Sequence, residues 1–142
     1  MIFNKKYAGD VTPKQAWQML GEDASAVLLD VRTQAEWTFV GAPDLSSLGK
    51  QPVFVQWQTF PEMRPNSEFA QQVAGCGVGE ENTVLLICRS GKRSLDAARA
   101  LTSLGFAKCY NIAAGFDGDR DPANHRGTLN GWKADGLPWG QG

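Results

Sequence analysis

Two uncharged runs of strand length, Ala26-Val-Leu-Leu29 and Thr83-Val-Leu-Leu-Ile87, constrain this chain more than any other feature. A strand with one face in water alternates apolar and polar residues. These runs do not alternate, so both of their faces must be covered, as happens to strands inside a parallel sheet. Val53-Phe-Val55 is a third run of this kind, and Lys108-Cys-Tyr-Asn-Ile112 a weaker fourth.

Helical signals fall between the runs. Thr12 followed by Pro13 gives an N-cap and a first-turn proline, predicting a helix to about Leu20 that stops at Gly21. Thr33 with Glu36 three residues on is a capping box for a short helix reaching Val40. Asn66 is placed to cap a helix carrying Phe69 and Val73 and ending near Gly75. Lys92 to Leu104 puts Leu95, Ala98, Leu101 and Thr102 on one face, with Gly105 as the stop. Strands alternating with helices predict an α/β fold built on a mainly parallel sheet. From Gly115 the composition turns glycine-rich and polar, with Trp132 and Trp139 as anchors. We expect a loop-rich flank there, with one helical turn around Trp132.

At 142 residues the chain has the length of one domain and buries enough surface to fold without a metal or disulfide staple. A net charge of −1 provides no long-range field for nucleic acid or anionic lipid, so neither is an expected partner. Met1 to Asp10 lacks the apolar run of a secretory signal, and nothing later has the length of a membrane span. Three cysteines (Cys76, Cys88 and Cys109) and the lone His125 form no metal-ligand spacing, so no metal or other cofactor is expected. Free thiols suit a cytoplasmic protein.

The chemistry concentrates in Cys88-Arg-Ser-Gly-Lys-Arg93-Ser94, where an apolar strand gives way to a helix. Ligands of open α/β sheets sit beyond the carboxyl ends of the strands. A helix amino terminus there presents unpaired N–H groups and partial positive charge. Gly91 permits the tight turn, so a bowl of amides should surround the sulfur. Arg89, Lys92 and Arg93 add three cations, which favour thiolate over thiol and make Cys88 the candidate nucleophile. Cys76 and Cys109 have no such surroundings and read as packing residues. Trp57 and Phe60 stand near a strand end, where they either line the site or pack in the core.

Cys88-Arg-Ser-Gly-Lys-Arg93 resembles the active-site loop of the rhodanese-like sulfurtransferases. Leu28-Leu-Asp30-Val-Arg32, followed by Glu36-Trp37, resembles the family's other hallmark, and Asn111-Ile-Ala-Ala-Gly115-Phe116 resembles the segment after its fifth strand. One departure is Gly41-Ala-Pro-Asp44, where the family commonly has a histidine-containing loop. The match covers about residues 7–117. Residues 118–142 then resemble the extension of some single-domain members, making 1–142 one rhodanese-like domain. The resemblance implies a central five-stranded, mainly parallel sheet flanked by helices on both faces. It also implies sulfur transfer through a Cys88 persulfide, from an anion such as thiosulfate to a thiol, cyanide or a protein acceptor. Substrate contacts would then fall on Arg89, Ser90, Gly91, Lys92, Arg93 and Ser94. Asp30 and Arg32 either brace the site or touch substrate.

Two rivals remain at this level. A cysteine-dependent phosphatase or arsenate reductase uses a wider loop, with five residues between cysteine and arginine, whereas four separate Cys88 from Arg93. A binding module that serves only as a scaffold usually lacks the cysteine, yet this chain has one; a sulfur relay that accepts from a protein partner would keep it and stays open.

Overall fold

The computed structural model describes residues 6–141; Met1 to Lys5, half of the stretch weighed above as a leader, and Gly142 lie outside the described residues. A fully parallel five-stranded sheet forms the centre, in the order β1-β8-β7-β2-β4. Its strands are β1 (Gly9–Val11), β2 (Val27–Asp30), β4 (Val53–Phe54), β7 (Thr83–Ile87) and β8 (Lys108–Ile112). Between them lie α1 (Pro13–Glu22), α2 (Gln34–Phe39), α3 (Phe69–Gly75) and α4 (Lys92–Ser103). Two short ribbons complete the architecture: β3 (Ala42–Pro43) with β9 (Trp139–Gly140), and β5 (Gln58–Thr59) with β6 (Arg64–Pro65), both antiparallel.

The period of two in the central strands sorts their side chains into two cores. Leu29, Val84 and Leu86 face Phe69 and Val73 of α3 and Ala97, Ala98 and Leu101 of α4. Leu28, Leu85 and Ile87 face the opposite way, toward Ala16 and Leu20 of α1 and toward Phe116 and Trp132 of the carboxyl-terminal segment. All five residues of β7 are buried, as expected of a strand between two covered faces. Among the described residues, no helix is long and apolar enough to cross a membrane.

Several local expectations need correction. Helix α1 does not stop at Gly21 but runs on to Glu22, and the N–H of Asp23 closes it on the carbonyl of Met19. Helix α3 starts later than an Asn66 cap implies. Asn66 instead accepts the Glu68 N–H through Oδ1, shaping the turn before the helix. The inward face of α4 is Ser94, Ala97, Ala98 and Leu101, whereas Leu95 and Thr102 are only half-buried. Strand β1 has no apolar run to announce it. It forms because β8 leaves an open edge with which Gly9–Val11 pairs in register, Gly9 against Tyr110.

The segment after Gly115 is part of the second core and not a loose tail. Trp132 is fully buried, stacks edge-on against Trp17 at 5.9 Å and donates its indole N–H to the carbonyl of Pro138. A turn follows it, held by the Asp135 N–H on Gly131 and the Gly136 N–H on Lys133.

Candidate active site

Strand β7 ends at Ile87, and Cys88 follows where the chain leaves the sheet for α4. The turn between them is possible because Gly91 takes a φ of 101°, with no room for a side chain: a Cβ there would lie 2.0 Å from the carbonyl oxygen of Ala113. Gly115 makes the matching approach from the other side, where a Cβ would lie 2.6 Å from the Arg89 carbonyl. The segment after β8 then fastens the loop, with the Phe116 N–H on the Cys88 carbonyl at 2.8 Å and the Asp117 N–H on the Arg89 carbonyl at 2.9 Å.

Cys88 is 1% exposed, yet it is not sealed in hydrocarbon. Its Sγ receives the Gly91 N–H at 3.1 Å and the Ser94 hydroxyl at 3.2 Å. The expected bowl of amides is thus narrower at the sulfur itself. Among the described residues, one backbone N–H and one hydroxyl reach it, while α4 begins immediately beyond. Ser94 Oγ also lies against Asn111 Oδ1, and Asn111 Nδ2 donates to Asp10 Oδ1. One hydroxyl proton serves both neighbours, so Ser94 can hold a thiol as acceptor or a thiolate as donor.

A cavity of about 770 Å³ opens over the cysteine. Arg89, Ser90, Lys92 and Arg93 line it, together with Trp57 and Phe60. Arg89 and Lys92 make no ion pair among the described residues. Arg93 is different: it lines the cavity while gripping Glu36 with two bonds of 2.7 and 2.9 Å, so its charge is matched within the site. Burial alone would raise the Glu36 carboxyl, but the Arg93 guanidinium and the Thr33 hydrogen bonds together outweigh it and hold the group below the ordinary carboxylate range.

Asp30 and Arg32 lie behind the site and outside the cavity lining. Both are fully buried and joined by a forked pair, with Arg32 Nη2 also donating to the Gly41 carbonyl and the guanidinium 4.3 Å from the centre of the Phe116 ring. The pair ties the end of β2 to the Gly41 turn. The other cysteines stand apart. Cys76 is exposed at the end of α3, and Cys109 is buried, which pushes its thiol up to about 11.

Several residues that line the cavity had no assignment from sequence, among them Phe39, Met63, Asp96, Asp117 and Arg126. Glu36 was readable as a capping residue and as part of the Glu36-Trp37 motif, but not as the partner of Arg93. It does cap α2 through Thr33, and the same carboxylate holds Arg93. Nothing local marks Arg126, which joins the lining of the cysteine's cavity from 38 positions further along the chain.

Comparison with known proteins adds the following. The family model for the STR4 middle domain matches residues 8–142. The chain is 31% identical over 141 residues to rhodanese-like domain-containing protein 4 of Arabidopsis thaliana chloroplasts, covering 97% of this chain and 27% of that much longer relative. It is 25% identical over 129 residues to the thiosulfate sulfurtransferase GlpE of Actinobacillus pleuropneumoniae, covering 91% and 90%. Among solved structures, Rv0390 from Mycobacterium tuberculosis superposes with a TM-score of 0.87 at 47% identity, covering 96% of this chain and 99% of that one.

Proposed function

The chain belongs to the rhodanese-like family of the STR4 middle domain, and from that premise we propose that it is a sulfurtransferase working through a persulfide on Cys88. The observation that carries the reading is the position of the Cys88 sulfur. It lies at the amino terminus of a 12-residue helix, receives the Gly91 N–H and the Ser94 hydroxyl, and borders an open cavity with unpaired cations. The name of the GlpE relative points the same way.

In the first half-reaction the Cys88 thiolate attacks the outer sulfur of a donor such as thiosulfate. The donor's sulfur–sulfur bond breaks, sulfite leaves with the electron pair, and Cys88 is left as a persulfide. Arg89 and Lys92 draw the anion in, and the helix terminus with Gly91 and Ser94 stabilises negative charge on sulfur. In the second half-reaction a thiophilic acceptor, a thiol or cyanide, takes the outer sulfur and restores the thiolate. A protein thiol is a further acceptor within the same chemistry. Neither nucleic acid nor membrane has a part in it. Residues 1–142 act as one domain in this reading, in the cytoplasm, where free thiols persist.

The phosphatase alternative fares worse on two counts. Its loop would need one more residue, and its arginine must be free to clamp a phosphoryl group, whereas Arg93 is held by Glu36. A pure scaffold would have no use for a cysteine that is both hydrogen-bonded and open to the cavity; a sulfur relay would use it in the same way.

Intact-mass measurement after incubation with thiosulfate tests the proposal. One added sulfur is expected on the wild type and none on Cys88→Ser. No adduct on the wild type, or release of phosphate from an aryl phosphate instead, would remove the sulfurtransferase reading.

A further inference from the structure

The cavity has more wall than an inorganic anion can use. One side is hydrocarbon: Phe39, Trp57, Phe60 and Met63, of which Phe39 is 77% and Phe60 61% exposed. Large side chains left in water at the rim of a nucleophile's cavity have a cost that packing does not explain, since only Trp57 also touches the core, against Phe69. The other side is cationic. Glu36 is occupied by Arg93, and Asp117 is paired with Lys133 at 3.1 Å. Arg89, Lys92 and Arg126 therefore line the space with, among the described residues, one unpaired carboxylate, that of Asp96.

Arg126 is the distinctive member. It is half-buried and anchored by one nitrogen, Nη1, on the Gly118 carbonyl at 2.7 Å. Among the described residues its Nη2 and Nε have no partner, so the fork is steered but not filled. Burial and the neighbouring positive charges of Arg89 and Arg120 bear against its own charge. An arginine held by its backbone-facing nitrogen beside a second arginine, with no carboxylate within ion-pair distance, is suited to a planar anionic group. Because the chain after β8 brings it in, it is independent of the Cys88 loop.

Thiosulfate would leave the aromatic wall unused and most of the cavity to water. Resting on the sulfurtransferase reading, we propose that the acceptor is an organic thiol bearing a carboxylate. The carboxylate seats on Arg126 and the carbon frame lies on Phe60 and Trp57. The acceptor thiolate attacks the outer sulfur of the Cys88 persulfide, forming a new sulfur–sulfur bond. The bond from that sulfur to Cys88 Sγ breaks, and its electron pair returns to Cys88 as thiolate. No oxidant or reductant is consumed.

The test uses the full chain loaded with sulfur from thiosulfate, with loading measured first by mass. Three thiols then chase the sulfur: para-mercaptobenzoate, para-thiocresol (the same ring without charge) and mercaptoacetate (the charge without a ring). The expected result is saturation by para-mercaptobenzoate at a concentration about tenfold below either of the others, the effect of one charge-assisted hydrogen bond or one buried ring. Arg126→Ala, assayed on chain whose loading has first been verified by mass, should raise KM for para-mercaptobenzoate about tenfold more than KM for para-thiocresol, and Arg126→Lys should recover part of the loss. Equal KM values for the three thiols, or an Arg126→Ala variant indistinguishable from wild type, would overturn the proposal while leaving sulfur loading intact. Failure of the wild type to load at all would instead sink the sulfurtransferase reading beneath it.

Discussion

Ser94 and Glu36 show how single side chains set the site's behaviour. The Ser94 hydroxyl lies 3.2 Å from Cys88 Sγ and is oriented by Asn111, whose amide is in turn held by Asp10. Ser94→Ala removes the one side-chain donor to the sulfur, and we expect persulfide formation to slow about tenfold, the weight of one hydrogen bond to a charged group. Stopped-flow or quenched mass kinetics with thiosulfate would measure it, and an unchanged rate would assign the serine to packing alone. Glu36 makes a pH-dependent contribution. Its carboxyl is held below the ordinary range in the folded protein, with burial opposing the shift and Arg93 and Thr33 together outweighing it. The stability it adds is therefore fully present above the ordinary carboxylate pKa and disappears as pH falls through the depressed folded value. Glu36→Gln should cost about 1–3 kcal/mol at neutral pH. Urea midpoints of variant and wild type should converge in strong acid, and a difference that persists there would mean the loss is steric.

Among the elements, the turn from β7 into α4 is the most constrained. A hydrophobic strand and a helix can be joined by many loops, but this one must place sulfur beside a helix terminus while passing close to Ala113. Gly91 solves both demands, with φ at 101° and no Cβ to meet the Ala113 carbonyl. Gly91→Ala should therefore cost at least about 1–3 kcal/mol from strain and displace the Gly91 N–H from the sulfur. Both effects are checkable on one sample: denaturation should show lower stability, and thiosulfate loading should fall sharply. An alanine variant that loads normally would show that the turn has another conformation available. The capping boxes at Thr12 and Thr33 work at the same scale but without strain, each satisfying two amide groups that a helix start would otherwise leave open.

For the whole molecule, the segment beyond Gly115 decides more than its composition promises. It supplies Phe116 and the fully buried Trp132 to one of the two cores, closes the β3–β9 ribbon and carries Arg126 into the cavity. Trp132→Ala should cost about 3–5 kcal/mol, the range for deleting a large aromatic side chain from a core. If the segment were a detachable flank, the urea midpoint of this variant would match the wild type. The buried Asp30–Arg32 pair acts at this scale too. It links the end of β2 to the Gly41 turn and stacks under Phe116, so one ionic contact joins the sheet, the α2 connection and the carboxyl-terminal segment.

What could be read without coordinates was whatever depends on neighbours in the chain. The two uncharged runs became β2 and β7 because a period-two strand with no polar face must be covered twice. Thr33 and Glu36 capped α2 because a capping box closes within three residues. Cys88, Gly91 and the start of α4 were legible together because the turn that joins them is short. Tertiary structure alone decided which charges stayed free. Arg93 has no visible partner in sequence, and α2 brings Glu36 to it from 57 positions away. Arg126 looked like nothing until the chain after β8 folded back over the cysteine. Pairing of charges is set by distance in space, on which a linear string of residues places almost no limit once the chain has crossed the sheet.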